Sequence, residues 1–570
     1  MKISNMRNLA TKMKTLLLVS VVLLLILSCQ ANEAYDWSQI GGNVAAGTSN
    51  WRDSNFHVSI SADGDTVAVG SPSVNDTNGL VRISRFNTTL GMWEQIGSDI
   101  LGGGDAERTS AGFSTSLSQD GNLLAVGFPG GPRLSGFGGV KNVAKVYRWN
   151  QTSGDWEQFG SEIFEAANTT GLELPQDFHL QSRAGWSVSL SDDGMSVAVG
   201  APEYFVKDVG RPGQVRVYQF NQLIDDWDQL GQELFGEASD TITPAFGFSV
   251  SLSGDGTTLA VGAPQNSVRS GFEPGSGYAE IWRLNATQGW EQLGFTIVGD
   301  ESADTAGRAV SLSTDGETLA VAQDGLVRVY KVNNNSDWEQ FGSDVLLKDG
   351  GIFQQVFGQG QSLSLSGDGK NVAVGAPGYS ENCVIPGLAS VFRFNGTDWE
   401  KMGSTIPGEY RFGADDRYGN DFVALSSGGS RLVVGAPFHV TDAHKCSPDE
   451  IPDWTGHVRV FDLVALTPAP SIVPSSSPSG SPKTSTPSQS PSSLPVVTGL
   501  SSNTASEAPS FRPSLRPTME SETPSFRPTS LRPTIEPTNL DTSSTVRQSS
   551  FNSRLCIAVI STTAYLAFFV

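Results

Sequence analysis

Seven times this chain repeats nearly the same run of residues: a short strand such as S-V-S-L-S, a D-G turn, L-A-V-G-A-P, a V-R-V-Y strand and W-E-Q-x-G. The last element starts at Trp37, Trp93, Trp156, Trp227, Trp290, Trp338 and Trp399, a spacing of about 60 residues, which suits one four-stranded sheet per repeat. That period overrides any domain count based on the 570-residue length. The 63 glycines, with abundant Ser, Thr and Val, suit short strands and leave little room for long helices. The expected fold class is all-β, a seven-bladed β-propeller over residues 32–466.

The fourth copy shows the logic of one blade. Phe248, Val250 and Leu252 alternate with serines, and Asp255-Gly256 is a hairpin signal. Leu259 to Ala263 is small and continuously apolar, as suits a strand enclosed on both faces, with Gly262 permitting close approach. Pro264 ends it because proline donates nothing to a ladder. Val215-Arg216-Val217-Tyr218, Val327-Arg328-Val329-Tyr330 and Val458-Arg459-Val460-Phe461 are third strands, and the fourth begins at the tryptophan. A turn opening at Asn87, Asn150, Asn221, Asn285, Asn333 or Asn395 joins the two. The tryptophan is expected to pack the outer strand onto its blade.

The chain begins with a tryptophan strand that has no trio before it and ends with a trio, Phe422 to Leu463, that has no tryptophan strand after it. Pairing the two closes a ring and removes open sheet edges.

Around this body the composition changes. Lys2, Arg7, Lys12 and Lys14 precede an apolar run from Leu16 to Leu27, which reads as a secretory signal over residues 1–31; Ile26 to Cys29 also resembles a bacterial lipoprotein box. Residues 467–542 are rich in Pro, Ser and Thr and are expected to form an extended stalk. Residues 543–570, ending in the apolar run Leu555 to Val570, match a glycolipid attachment signal, with a transmembrane anchor as the alternative. The net charge of -22 argues against a nucleic-acid partner. Outside the two apolar ends only Cys383 and Cys446 remain, in corresponding loops of copies six and seven, and an exported pair is expected to form a disulfide.

The run Ala245-Phe246-Gly247-Phe248-Ser249-Val250 through Val261-Gly262-Ala263-Pro264 resembles the FG-GAP repeat of integrin α-chain propellers. Gly112-Phe113-Ser114, Gly185-Trp186-Ser187 and Gly375-Ala376-Pro377 are related versions. The resemblance implies a propeller used for extracellular recognition. The calcium-binding form of that repeat carries alternating acids before the turn and another after it, whereas here Ser251, Ser253 and Leu259 flank a single Asp255, too few oxygens for a calcium cage. Asp63, Asp120, Asp193, Asp315 and Asp368 are equally alone, so these positions read as turns, with no metal or cofactor expected. The S-x-D-G-x-x-L-A-V core is also similar to WD-repeat and TolB-type blades.

With strands ordered a to d outward from the axis, the a–b and c–d turns share one face and the b–c and d–a connections the other. Glycosylation sequons stand at Asn75, Asn87, Asn150, Asn168, Asn285, Asn334 and Asn395, most of them in c–d turns. Length variation falls on the opposite face, in 161–184, 438–456, 128–142, 203–213 and 265–277, where recognition is expected. The five histidines, His57, His179, His439, His444 and His457, follow no metal or catalytic spacing. The expected function is noncatalytic, a surface-tethered recognition or adhesion protein with an extracellular protein or glycan ligand. A secreted propeller enzyme acting on polysaccharide or glycoconjugate and a structural wall or matrix protein are the alternatives.

Overall fold

Alternating stretches become the innermost strands, and each D-G dipeptide turns its strand back toward the enclosed apolar one. The computed structural model describes residues 35–44, 57–72, 78–103, 109–130, 142–164, 182–206, 209–237, 244–264, 276–300, 305–323, 325–346, 362–376, 388–407, 423–436 and 457–466. Residues 1–31 and 467–570, read above as signal, stalk and anchor, lie outside them. In blade four, strand a is Ser249–Leu252, b Thr258–Ala263, c Tyr278–Asn285 and d Gly289–Gln292, each antiparallel to the next. Six blades are built this way in chain order.

The seventh blade is completed from the opposite end of the repeat body. Val423–Leu425, Arg431–Ala436 and His457–Ala465 supply three strands, and Tyr35–Gln39 pairs antiparallel with the last, placing Trp37 opposite Leu463. This is the closure read from the offset ends of the repeat. The sequence did not announce a further strand of two residues, such as Leu234–Phe235 and Ile297–Val298, which follows strand d in blades one to five and pairs with the start of strand c.

The core lies between blades. Val215 and Val217 of blade three pack in one cluster with Leu259, Val261 and Ala263 of blade four, so every buried strand b serves a boundary. Glycine makes that approach close enough. A Cβ on Gly262 would sit 1.9 Å from the Gly307 carbonyl oxygen of the next blade, and Gly70, Gly127 and Gly200 meet Gly112, Gly185 and Gly247 in the same way. The receiving glycines have φ of 80 to 86°, a left-handed conformation natural to glycine.

The tryptophans pack on their own blades, as expected, and also clasp the preceding one. Trp93, Trp156, Trp227, Trp290, Trp338 and Trp399 donate Nε1–H to the carbonyls of Ile40, Ile96, Phe159, Leu230, Leu293 and Phe341. Each indole rests on the glycine that ends the preceding W-x-x-x-G, where a Cβ would come within 2.6 to 2.9 Å. The motif is therefore a donor and its receiving surface, read across a blade boundary.

Candidate functional site

The two faces of the ring use their polar groups differently. On the a–b face, the Ser253 hydroxyl donates to Asp255 Oδ1 at 2.6 Å and accepts the Thr258 N–H at 2.9 Å, while Asp255 also accepts the Thr257 N–H. The same arrangement recurs from Ser61/Asp63 to Ser366/Asp368. These aspartates are occupied in making turns. Burial opposes the charge of Asp255, but the Ser253 and Thr257 hydrogen bonds win and lower its pKa.

Beside those turns the backbones join in a closed ring. The N–H groups of Ala62, Gln119, Asp192, Gly254, Thr314, Gly367 and Ser427 each donate to the next, and Ser427 returns to Ala62, at 2.8 to 3.2 Å. Strands spaced about 4.8 Å apart give such a seven-membered ring a radius of about 5.5 Å to the backbone. Side chains narrow it further, since a Cβ on Gly367 would lie 2.1 Å from the Ser427 hydroxyl.

The c–d turns on this face are equally committed. Asn87, Asn150, Asn285 and Asn395 accept the N–H two residues on and donate Nδ2–H to Glu94, Glu157, Glu291 and Glu400. Asn221 and Asn333, which begin no sequon, make the same bonds. The repeated asparagine thus has a structural role of its own. Asn334, one residue into its turn, is exposed. Asn75 and Asn168 lie outside the described residues, as do Cys383, Cys446, His179, His439 and His444.

The opposite face carries a different set of side chains around the axis. His57, Phe113, Trp186 and Phe248 enter the inner strands of blades one to four, with successive ring centroids 5.1, 4.4 and 5.5 Å apart. Arg308 of blade five continues the arc, its guanidinium 5.6 Å from the Phe248 ring, and Arg183 lies 5.4 Å from that of Trp186. Arg183 and Arg211 share Glu203, at 3.1 and 2.9 Å. The seven repeat tryptophans each have a carbonyl acceptor, whereas the buried Nε1–H of Trp186 has none among the described residues.

Backbone strain marks the same face. Ser110, Arg183, Ala245 and Thr305 all have φ of 50 to 59°, each two residues before a receiving glycine. Such conformations cost on the order of 1 kcal/mol apiece for non-glycine residues. Sequence periodicity located the glycines but gave no signal for these four. The expected recognition segments fall largely outside the described residues; those that are described, such as 182–184, 203–206 and 209–213, border the arc. Among the described residues no group of three His, Cys, Asp or Glu side chains is placed to hold a metal.

The chain matches no known family model and no curated protein. Among solved structures it is similar to a periplasmic gluconolactonase of Pseudomonas aeruginosa, at 19% identity over 67% of this chain and 88% of that one, with a TM-score of 0.39. It is also similar to a putative 6-phosphogluconolactonase from Bacteroides uniformis (13% identity, 65% and 88% covered, TM-score 0.40) and to Kuenenia stuttgartiensis hydrazine synthase (12%, 69% and 96%, 0.39). Likenesses this distant carry no argument about activity.

Proposed function

We propose that this propeller is an extracellular, noncatalytic recognition protein of integrin-α-like type, binding a protein or glycan ligand around the mouth of its b–c and d–a face. One observation carries the reading: the a–b face repeats the same self-satisfied turns, while the arc of His57, Phe113, Trp186, Phe248 and Arg308 changes residue from blade to blade. Repetition builds a scaffold, and departures from it at one mouth are where a rigid scaffold gains specificity. The aromatic and cationic arc suits stacking against sugar rings or peptide side chains.

The apolar N-terminal run, the Pro/Ser/Thr-rich segment and the apolar C-terminal run support display from a cell surface, with a glycolipid anchor. Phospholipase treatment of intact cells checks the anchor, and retention of the protein in the membrane would count against it. Residues 32–466 applied to glycan and protein arrays should find a ligand whose binding is lost when 161–184 and 438–456 are replaced by short Gly-Ser turns. Undiminished binding by that variant would place the site elsewhere.

A further inference from the structure

Ion pairs among the described residues are balanced or acid-rich at every place but one. Arg82 meets Asp99, Lys145 meets Glu162, Arg216 meets Glu233 and Lys370 meets Asp368 one to one, while Arg328 and Arg431 each meet two aspartates. Glu203 instead answers two cations, Arg183 at 3.1 Å and Arg211 at 2.9 Å, and no other described carboxylate comes within ion-pair distance of either. In a chain of net charge -22, this part of the mouth keeps one positive charge uncancelled.

The fold fixes these groups in place. Arg183 stands on the connection that enters blade three, and Glu203 and Arg211 stand on the loop between that blade's strands Ser196–Ala201 and Gln214–Asn221. The Glu203 N–H donates to the Ser182 carbonyl at 3.1 Å, and Tyr204 packs with Ala184 and Ala201, so the loop is bound to that connection. On its other side the Pro212 carbonyl accepts the Phe246 N–H at 3.2 Å, which ties the loop to the segment entering blade four. The Arg183 guanidinium is held beside the half-buried Trp186 ring, 5.4 Å from its centroid. Groups placed this firmly lose little freedom when a ligand arrives.

Much of their hydrogen-bonding capacity is unspent. Arg211 gives its Nη1–H to Glu203 Oε2, but its Nε and Nη2, and both terminal nitrogens of Arg183, meet no acceptor among the described residues and are not fully buried. The two side chains are 21% and 16% exposed, so these donors open to solvent. Planar guanidinium forks of this kind match the paired oxygens of a carboxylate or a sulfate. Glu203 opposes an incoming anion, but it cancels one of two charges and, at 43% exposed, is the better screened.

We infer that Arg183 and Arg211 form an oxyanion subsite, and that the ligand of this mouth is an acidic glycan bearing uronate carboxylates or sulfate esters. The inference rests on the recognition reading proposed above and narrows its ligand. Trp186 is the reason for a glycan: a sugar ring lying against the indole carries its anionic substituent directly on the ring, within reach of a guanidinium already set beside that indole. A peptide carboxylate sits on a flexible stem and leaves the indole unused.

Calorimetric titration of the full chain with oligogalacturonate, sulfated galactan oligomers, neutral galactan oligomers and polyglutamate tests the subsite. One or both acidic oligosaccharides should bind, which identifies the oxyanion, and the neutral one and the peptide should not. Arg183→Gln and Arg211→Gln should each weaken that binding about tenfold or more, and added salt should weaken it in the wild type. Glu203→Gln keeps a polar side chain while removing the opposing charge and should tighten binding several-fold. A merely structural ion triad predicts no such gain. Binding of neither acidic oligosaccharide, equal binding of the neutral one or of polyglutamate, or unchanged affinity in both arginine variants would overturn the subsite. An array ligand that is lost on loop replacement yet indifferent to both arginine substitutions would overturn it too, and would leave the recognition reading standing.

Discussion

Trp37 Nε1 donates to the carbonyl of Met402 at 2.9 Å, joining residues 365 positions apart. Asp36 reinforces the contact by accepting the Ser404 N–H at 2.8 Å, as Asp155, Asp226 and Asp398 accept from Ser98, Ser161 and Ser343 at other boundaries. At its periphery the seam is thus built like the boundaries formed by continuous chain. Arg431 adds a second tie, reaching Asp65 in blade one while paired with Asp462 in its own.

Removing the indole should open this seam first. Trp37→Ala is expected to cost about 3 kcal/mol, toward the low end for an aromatic truncation because the side chain is half-buried. Trp37→Phe should recover part of that, since it restores packing without the donor. Chemical denaturation of both variants checks the order, and equal stability of the alanine variant and wild type would deny the clasp its role.

Close approach of glycines gives a sharper contrast. Gly262→Ala would push a methyl group into the Gly307 carbonyl, whereas Gly42→Ala meets nothing within 4 Å and has no left-handed φ to strain. The first should lower Tm by several degrees and the second should leave it within a degree or so. Comparable losses in both would mean that boundary packing does not explain the repeated glycine.

The boundary between blades seven and one lacks one bond that most other boundaries have. Ser189, Ser251, Ser311 and Ser364 accept the N–H of Leu252, Leu312, Leu365 and Leu425 in the next blade, at 2.9 to 3.0 Å. Ala424 holds the corresponding position in blade seven and has no hydroxyl. Ala424→Ser should extend this bond to the boundary between blades seven and one and stabilise by about 1 kcal/mol. A loss of stability on equilibrium unfolding would show that Ile60 does not present its N–H there.

Asparagine at the c–d turns should matter without any glycan. In protein made in a host that does not glycosylate, Asn150→Ala loses the bonds to Thr152 and Glu157 and should cost about 1 kcal/mol. Asn334→Ala, at an exposed position, should be close to neutral by the same denaturation measurement. If the two behave alike, the turn bonds are not what the repeated asparagine supplies.

Much of the fold was legible because its rules are local. Phe248, Val250 and Leu252 announce a strand by their alternation, Asp255-Gly256 announces the turn, and Leu259 to Ala263 announces enclosure. The site was less legible. The glycine at 185 marks a backbone requirement, but nothing in the order of residues places Trp186 between Phe113 and Phe248 from two other blades. The sequons at Asn87 and Asn150 read as modification signals, although the same Asn-x-Thr spacing serves an Asx turn.

By itself the sequence determined the number of blades, the order of their strands and the partner of the first strand, because periodicity and turn chemistry act over a few residues and counting repeats shows which strand is left over. Only the tertiary structure decided what each repeated side chain does at a boundary. Trp37 finds Met402 and Arg308 reaches the Phe248 ring because curvature brings blades together at distances that sequence separation does not encode. In sequence Glu280 is one more acid in a chain of net charge -22; in blade four it is buried, and burial pushes its carboxyl up to about 7.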